Sequence, residues 1–168
     1  MGTQRFPWMH RQIPRAAAGD PLGRRRCQHL NSGPTCRTSN VALRTFIVED
    51  NPDAFATLSE YLAAAAGAEN VGWATGERQA RAFLERNPAA WDLAIVDLFL
   101  VEGTGLGVLE ACRERPARRK VVVMSNYATA EMRSRCRQLG ANAVFDKVTE
   151  LAALVAFCKE AGDEAAGR

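Results

Sequence analysis

The chain has 168 residues, 47% hydrophobic and 24% charged, enough for one domain with a proper core plus an appendage. Eight arginines and one acid precede Thr45 and give that stretch +7, so the remainder is −4 and the formal +3 belongs to the start of the chain. The folded part therefore carries no basic preference for nucleic acid; no apolar run approaches membrane-spanning length, and the N-terminus lacks the continuous apolar core of a secretory signal.

Residues 1–41 are rich in Arg, Pro, Gly, Ser and Thr without a steady apolar period, and read as a disordered basic tail. Arg24-Arg25-Arg26 fits a solvated segment better than a specific nucleic-acid or lipid contact. The tail also fits a misplaced gene start, because Val41 stands directly before the folded region and valine codons can initiate in bacteria. Cys27, His29 and Cys36 lack a fourth ligand for a metal site. Cys112, Cys136 and Cys158 fall on apolar helix faces, as expected of reduced thiols in a cytoplasmic protein.

From Arg44 a regular alternation begins. Thr45–Val48 reads as a strand cut by Glu49-Asp50. Asn51 is a helix N-cap with Pro52 at the first helical position, and Gly67 ends a helix that buries Phe55, Leu58 and Leu62. A second strand covers Val71–Ala74. Thr75 is expected to cap a helix that carries Ala80, Phe83 and Leu84 inward and ends at Asn87-Pro88.

Trp91-Asp-Leu-Ala-Ile-Val-Asp97 is the most apolar short run. It reads as a central strand covered on both faces and ending in a carboxylate. Gly103-Thr-Gly-Leu-Gly107 lacks the Lys-Ser/Thr of a phosphate loop and fits a turn and helix start, with the helix running to about Arg115. Lys120–Ser125 is the fourth strand. Thr129 caps a helix with Met132, Cys136 and Leu139 inward, ended by Gly140. Ala143–Phe145 is a short fifth strand, followed by Asp146-Lys147. Thr149 is expected to cap a last helix with Leu151, Leu154, Val155 and Cys158 inward, leaving residues 161–168 as a short tail.

This is (βα)₅, an α/β chain. Strict alternation with apolar strands implies a parallel sheet with helices on both faces, and the leading topology is flavodoxin-like, strand order 2-1-3-4-5. All strand ends then share one edge. Strands one and three become neighbours, so Glu49, Asp50 and Asp97 converge. Three like charges that close oppose one another, and a divalent cation with all-oxygen ligands, Mg²⁺, relieves the strain. With Lys147 as a positive charge and Ser125 as a hydroxyl donor, the set can neutralise a phosphoryl group in transfer, with Asp97 as the nucleophile.

On these residues, the stretch from about Thr45 to Lys159 resembles the receiver domain of two-component response regulators. Glu49-Asp50, Asp97, Ser125 and Lys147 each follow the proper strand. The resemblance implies that Asp97 accepts phosphate from a sensor histidine kinase or a histidine phosphotransfer protein. Asp50, Asp97 and the Phe99 carbonyl would hold Mg²⁺, and Glu49 would act mainly through metal-bound water. Lys147 would pair with the phosphate and Ser125 would swing towards it. Phe99 and Tyr127 occupy positions that, in this family, govern the approach of hydrolytic water, and two bulky rings there imply slow loss of phosphate. A domain spanning 44–160 with no output region after Lys159 implies a single-domain regulator, not an enzyme. It would signal through a protein target on the Ser125–Lys159 face, where Arg133, Arg135 and Arg137 form either a contact surface or a solvated helix face.

Three departures accompany the resemblance. Val148 replaces the usual Pro, so no cis bond is expected there. Val144 occupies the place of the switch aromatic, with Phe145 on the opposite face, and Tyr127 is a candidate substitute. Leu98-Phe-Leu-Val-Glu-Gly103 replaces the usual Met-Pro. Two competing readings are a phosphorylation-independent pseudo-receiver that binds proteins and an unrelated α/β hydrolase. The hydrolase is disfavoured because residue 99 is Phe, not the second acid of a phosphatase pair, and no Gly-x-Ser-x-Gly occurs.

Overall fold

A computed structural model describes residues 42–167. The tail readings, including the arginine run, the Cys27–His29–Cys36 sketch and the gene-start reading at Val41, lie outside the described residues.

Five strands and five helices alternate: β1 Arg44–Val48, α1 Pro52–Ala66, β2 Glu69–Ala74, α2 Glu77–Arg86, β3 Leu93–Asp97, α3 Gly105–Ala111, β4 Lys120–Ser125, α4 Ala130–Gln138, β5 Ala143–Asp146 and α5 Leu151–Ala166. All pairings are parallel and the order is β2-β1-β3-β4-β5. The expected flavodoxin-like topology is the one observed.

Strand alternation divides the core in two. Phe46, Val48, Ala94, Val96, Val121, Val123 and Val144 face one side and pack against Ala80, Leu84, Val108, Leu109, Cys112 and Cys136 of α2, α3 and α4. Ile47, Leu93, Ile95, Val122, Met124 and Phe145 face the other and meet Leu58, Leu62, Leu154, Val155 and Cys158 of α1 and α5. β3 is buried along its whole length, as its composition requires. The thiols of Cys112, Cys136 and Cys158 are free and buried, and burial pushes the first up to about 11 and the last up to about 12.

The helix ends follow the expected caps only in part. Asn51 accepts N–H bonds from Asp53 (2.9 Å) and Ala54 (3.2 Å), and Gly67 closes α1 in the left-handed region at φ 62°. Thr129 caps α4 through Met132 N–H. The other two caps differ from expectation. Gly76, not Thr75, is the N-cap of α2, and the Arg78 N–H is satisfied by the Glu102 carboxylate at 3.1 Å from a loop 24 residues away. Thr149 does not cap α5. Its hydroxyl and N–H are both spent on Asp146 Oδ1, and the helix starts one residue later than that cap would place it.

Two lengths also differ. α3 stops at Ala111, short of Arg115, whose guanidinium instead donates to the carbonyls of Cys112, Arg119 and Gly140. Residues 161–166, expected as a tail, are the last turns of α5. The buried stripe simply continues: Leu154, Cys158 and Ala161 share one face, and Gly162 comes close enough to Leu43 that a Cβ there would lie 3.7 Å from the leucine Cβ.

Leu154 is fully buried between α5 and the sheet. Leu154→Ala should cost about 2–5 kcal/mol, read as a lower denaturant midpoint at unchanged slope, whereas the exposed Ala153→Ser should stay within about 0.5 kcal/mol.

Candidate functional site

The carboxyl ends of β1, β3, β4 and β5 carry the candidate residues because each apolar run stops at a charged or polar one. β1 pairs with β3, which brings Glu49 and Asp50 beside Asp97. One carboxylate oxygen from each of the three lies within 4.8 Å of the others. Glu49 and Asp97 are buried and Asp50 is half-buried.

Lys147 reaches this cluster from the end of β5. Its Nζ donates to Glu49 Oε2 and to Asp97 Oδ2, both at 2.6 Å, and its side chain is only 6% exposed. The ammonium is clamped between two buried carboxylates. Burial alone would push this amine down, but the charges of Asp97 and Glu49 outweigh it and hold the amine above the ordinary lysine value. Burial, helped by the charge of Asp97, pushes the Glu49 carboxyl up despite the pull of Lys147. One ammonium among three carboxylates leaves the cluster negative, which is the condition a divalent cation with oxygen ligands satisfies.

Backbone amides fix the acids. Asn51 N–H donates to Glu49 Oε1 (3.3 Å), Val101 N–H to Asp50 Oδ2 (3.1 Å) and Phe99 N–H to Asp97 Oδ1 (3.3 Å). The loop from Asp97 to Val101 therefore wraps the acids, with the Phe99 backbone in the turn beside Asp97. Gly105 must be glycine for the helix start to pass under that loop, since a Cβ would collide with the Asp97 carbonyl oxygen. Gly103 and Gly107 of the same stretch lie instead against the Glu77 side chain, and Thr104 caps α3 through Gly107 N–H.

Ser125 is fully buried at the end of β4, opposite Asp146. Its hydroxyl accepts the Tyr127 N–H at 3.1 Å and keeps its own proton to donate, while its carbonyl accepts the Lys147 N–H at 3.1 Å. Val144 is buried among Cys136, Ala141 and their neighbours, and Phe145 packs edge-on against Phe157 on the other face, as the alternation predicts. Tyr127 is exposed and its ring meets Phe99 edge-on at 5.2 Å. Peptide bonds among the described residues are all trans, including the one before Val148.

Trp73, Glu77 and Glu102 are three contributors that the sequence pattern does not mark. Trp73 stacks on Phe55 and donates its indole N–H to the Glu49 carbonyl at 2.7 Å. Glu77 accepts the Thr104 N–H at 2.9 Å while Glu102 accepts from Arg78, so α2 and the loop after β3 exchange carboxylates. Arg133, read as a contact or solvated residue, is turned inward: it donates to the Ala128 and Val144 carbonyls and pairs with Glu150 at 2.6 Å. Only the tertiary fold brings these partners together; Arg135 and Arg137 remain exposed.

The family description "response regulator receiver domain" matches residues 45–159. This chain belongs to that family, whose members are phosphoacceptor regulators of two-component signalling and bind Mg²⁺ at an acidic pocket. Solved structures agree on the fold. A LuxR-family DNA-binding response regulator from Staphylococcus aureus is 17% identical with a TM-score of 0.63, covering 71% of this chain and 98% of that one. The CheX–CheY complex with BeF3 and Mg²⁺ from Borrelia burgdorferi is 17% identical with a TM-score of 0.61, covering 68% and 84%. The phosphorylated cyanobacterial phytochrome response regulator RcpA is 26% identical with a TM-score of 0.59, covering 71% and 91%. No curated protein matches the chain. No helix among the described residues is long and apolar enough to cross a membrane.

Removing the amine isolates the acids. Lys147→Met should cost about 3–5 kcal/mol at neutral pH in metal-free buffer. A lysine held above its ordinary 10.5 contributes stability that is complete below that value and is lost as pH rises through the folded value. The gap between wild type and variant should therefore close above about pH 10.5. The alkaline loss from Cys112 and Cys158 is common to both proteins and cancels. Denaturant midpoints across pH check this; a gap independent of pH would exclude Lys147 as its source.

Proposed function

We propose that this chain is a phosphorylation-switched receiver in which Asp97 accepts a phosphoryl group from the phosphohistidine of a sensor histidine kinase or a histidine phosphotransfer protein. An Asp97 carboxylate oxygen attacks phosphorus, the phosphorus–nitrogen bond breaks, and the electron pair leaves on the imidazole nitrogen. The observation that carries this reading is the Lys147 ammonium, 2.6 Å from both Glu49 and Asp97, inside a cluster that also holds Asp50.

Asp50, Asp97 and the Phe99 carbonyl are the residues that would hold Mg²⁺, with Glu49 acting through a bound water. The donor set fits: all are oxygens, two of the carboxylates are buried, and the single amine leaves their charge uncompensated. The cation, when bound, neutralises phosphoryl oxygens. Lys147 follows the added charge from Asp97 to a phosphoryl oxygen, and Ser125 donates its hydroxyl proton to another. Asp97 does the chemistry only on itself, so the chain is a regulator and not an enzyme acting on other molecules. Output passes through protein contacts on the Ser125–Lys159 face, and the domain is taken to span 44–160.

Acetyl phosphate with Mg²⁺ should add one phosphoryl group to the intact protein by mass spectrometry. Asp97→Asn should take up none, and chelation of the metal should stop the reaction. Wild type that stays unmodified under these conditions and with a panel of histidine kinases would favour the phosphorylation-independent scaffold.

The rings of Phe99 and Tyr127 meet beside the Asp97 loop. They screen the line by which water reaches the acyl phosphate, so the phosphorylated form should be long-lived. Phe99→Ala should speed loss of phosphate about tenfold, a barrier change of about 1.4 kcal/mol, followed by the decay of the phosphorylated mass. Phosphate released within seconds and unaffected by the substitution would remove the screen from the account.

A further inference from the structure

We infer that Arg133 is a positioning residue that transmits the state of the Asp97 site from the loop after β4 to the start of α5. The inference rests on the proposed phosphorylation of Asp97 and concerns how its consequence leaves the site. Three routes that an aromatic side chain could provide are closed. Val144 is buried and has no polar group, Phe145 lies on the opposite face against Phe157, and the Tyr127 ring points outward against Phe99. Among the described residues the Ser125 hydroxyl is bonded to the Tyr127 amide alone.

Arg133 supplies a different route. Its Nε donates to the Ala128 carbonyl at 2.9 Å, one terminal nitrogen to the Val144 carbonyl, and the other to Glu150 Oε2 at 2.6 Å. The same Glu150 oxygen accepts the Asp146 N–H at 2.7 Å. Asp146 is the register partner of Ser125, and the Lys147 N–H returns to the Ser125 carbonyl. The bonds and the short chain segments between them close a ring through Ser125, Ala128, Arg133, Glu150, Asp146 and Lys147, and both groups proposed to meet the phosphoryl oxygens, Ser125 and Lys147, stand on it. A planar guanidinium can hold three acceptors on three segments at once, which an ammonium on a flexible stem does not reproduce. A shift of the chain after Ser125 that keeps the Ala128 bond carries Arg133 with it and pulls on its charge-assisted bond to Glu150. That movement alters the amide of Asp146 and the first turn of α5.

Amide hydrogen exchange of the full chain tests this in two arms. In the unmodified protein, Arg133→Met and Glu150→Gln should each speed exchange at residues 146–154 about tenfold, and Arg133→Lys should not restore protection. Unchanged exchange in all three overturns the latch whatever the site does. In the second arm, acetyl phosphate and Mg²⁺ are added and uptake is read by mass. Wild type should show altered exchange at both 126–133 and 146–154. Arg133→Met, or Arg133→Lys if the former does not fold, should take up phosphate normally yet confine the change to 126–133. A variant that is phosphorylated and still alters 146–154 as wild type does overturns the inference and leaves the proposed function standing. Wild type that takes up phosphate neither here nor from a panel of histidine kinases overturns the proposed function, and the transmission with it.

Discussion

The structure depends on a charge imbalance held in place by a sheet. Parallel pairing of β1 with β3 forces Glu49, Asp50 and Asp97 to one point, and only Lys147 among the described residues answers them with an ion pair. The amine comes from β5 and must cross the end of β4 to reach Asp97. The residue at that end is Ser125, small and fully buried. Order β2-β1-β3-β4-β5 is therefore an electrostatic requirement as much as a topological outcome: moving β5 elsewhere would leave two buried carboxylates without a counter-charge, at a cost of several kcal/mol.

Much of the surrounding structure holds this arrangement against its own repulsion. Each acid receives a backbone amide, from Asn51, Val101 or Phe99, so that no carboxylate depends on the amine alone. The loop that supplies two of those amides is anchored on both sides, by Gly105 passing under the Asp97 carbonyl and by the bonds of Glu77 of α2 to Thr104 and of loop Glu102 to Arg78. The indole of Trp73 ties the Glu49 carbonyl to β2. These contacts are polar and directional, while the two apolar clusters on either side of the sheet are not. The clusters fix where the strands lie, and the amide bonds fix where the oxygens point.

That division explains what could be read in the sequence. Strand ends were legible because apolar runs such as Val121–Met124 and Leu93–Val96 break at a charged or polar residue, and four such breaks in a (βα)₅ chain specify one edge. Glu49, Asp50, Asp97, Ser125 and Lys147 were found this way, and the structure brings all five to that edge. The opposite faces of Val144 and Phe145 followed from period two alone. Caps supplied from a distance were not legible: Glu102 serves α2 from another loop, and Asp146 takes the Thr149 groups expected to serve α5. The extension of α5 to Ala166 escaped because Ala161 is too weak an apolar signal among charged neighbours. The bonds of Arg133 were illegible for a related reason, since helix periodicity sees neighbours three and four residues away but not Glu150, 17 residues on.

The same edge also gathers apolar surface. Among the described residues five large hydrophobic side chains stand exposed, and four of them, Phe99, Val101, Tyr127 and Val148, lie on loops after β3, β4 and β5, around the acidic floor. Exposed apolar groups gain nothing from water, yet their placement has an electrostatic consequence. A protein seated on that rim would bury it and expel water from above the carboxylates and the amine. Attraction between Lys147 and an incoming phosphoryl group would then act through a medium of lower dielectric, where each ångström counts for more. The acids, in turn, would feel one another more strongly, which raises the demand for a cation between them. On the proposed function, an apolar rim over an under-neutralised acidic floor would be one device: the contact that delivers a phosphoryl group would also sharpen the charges that receive it.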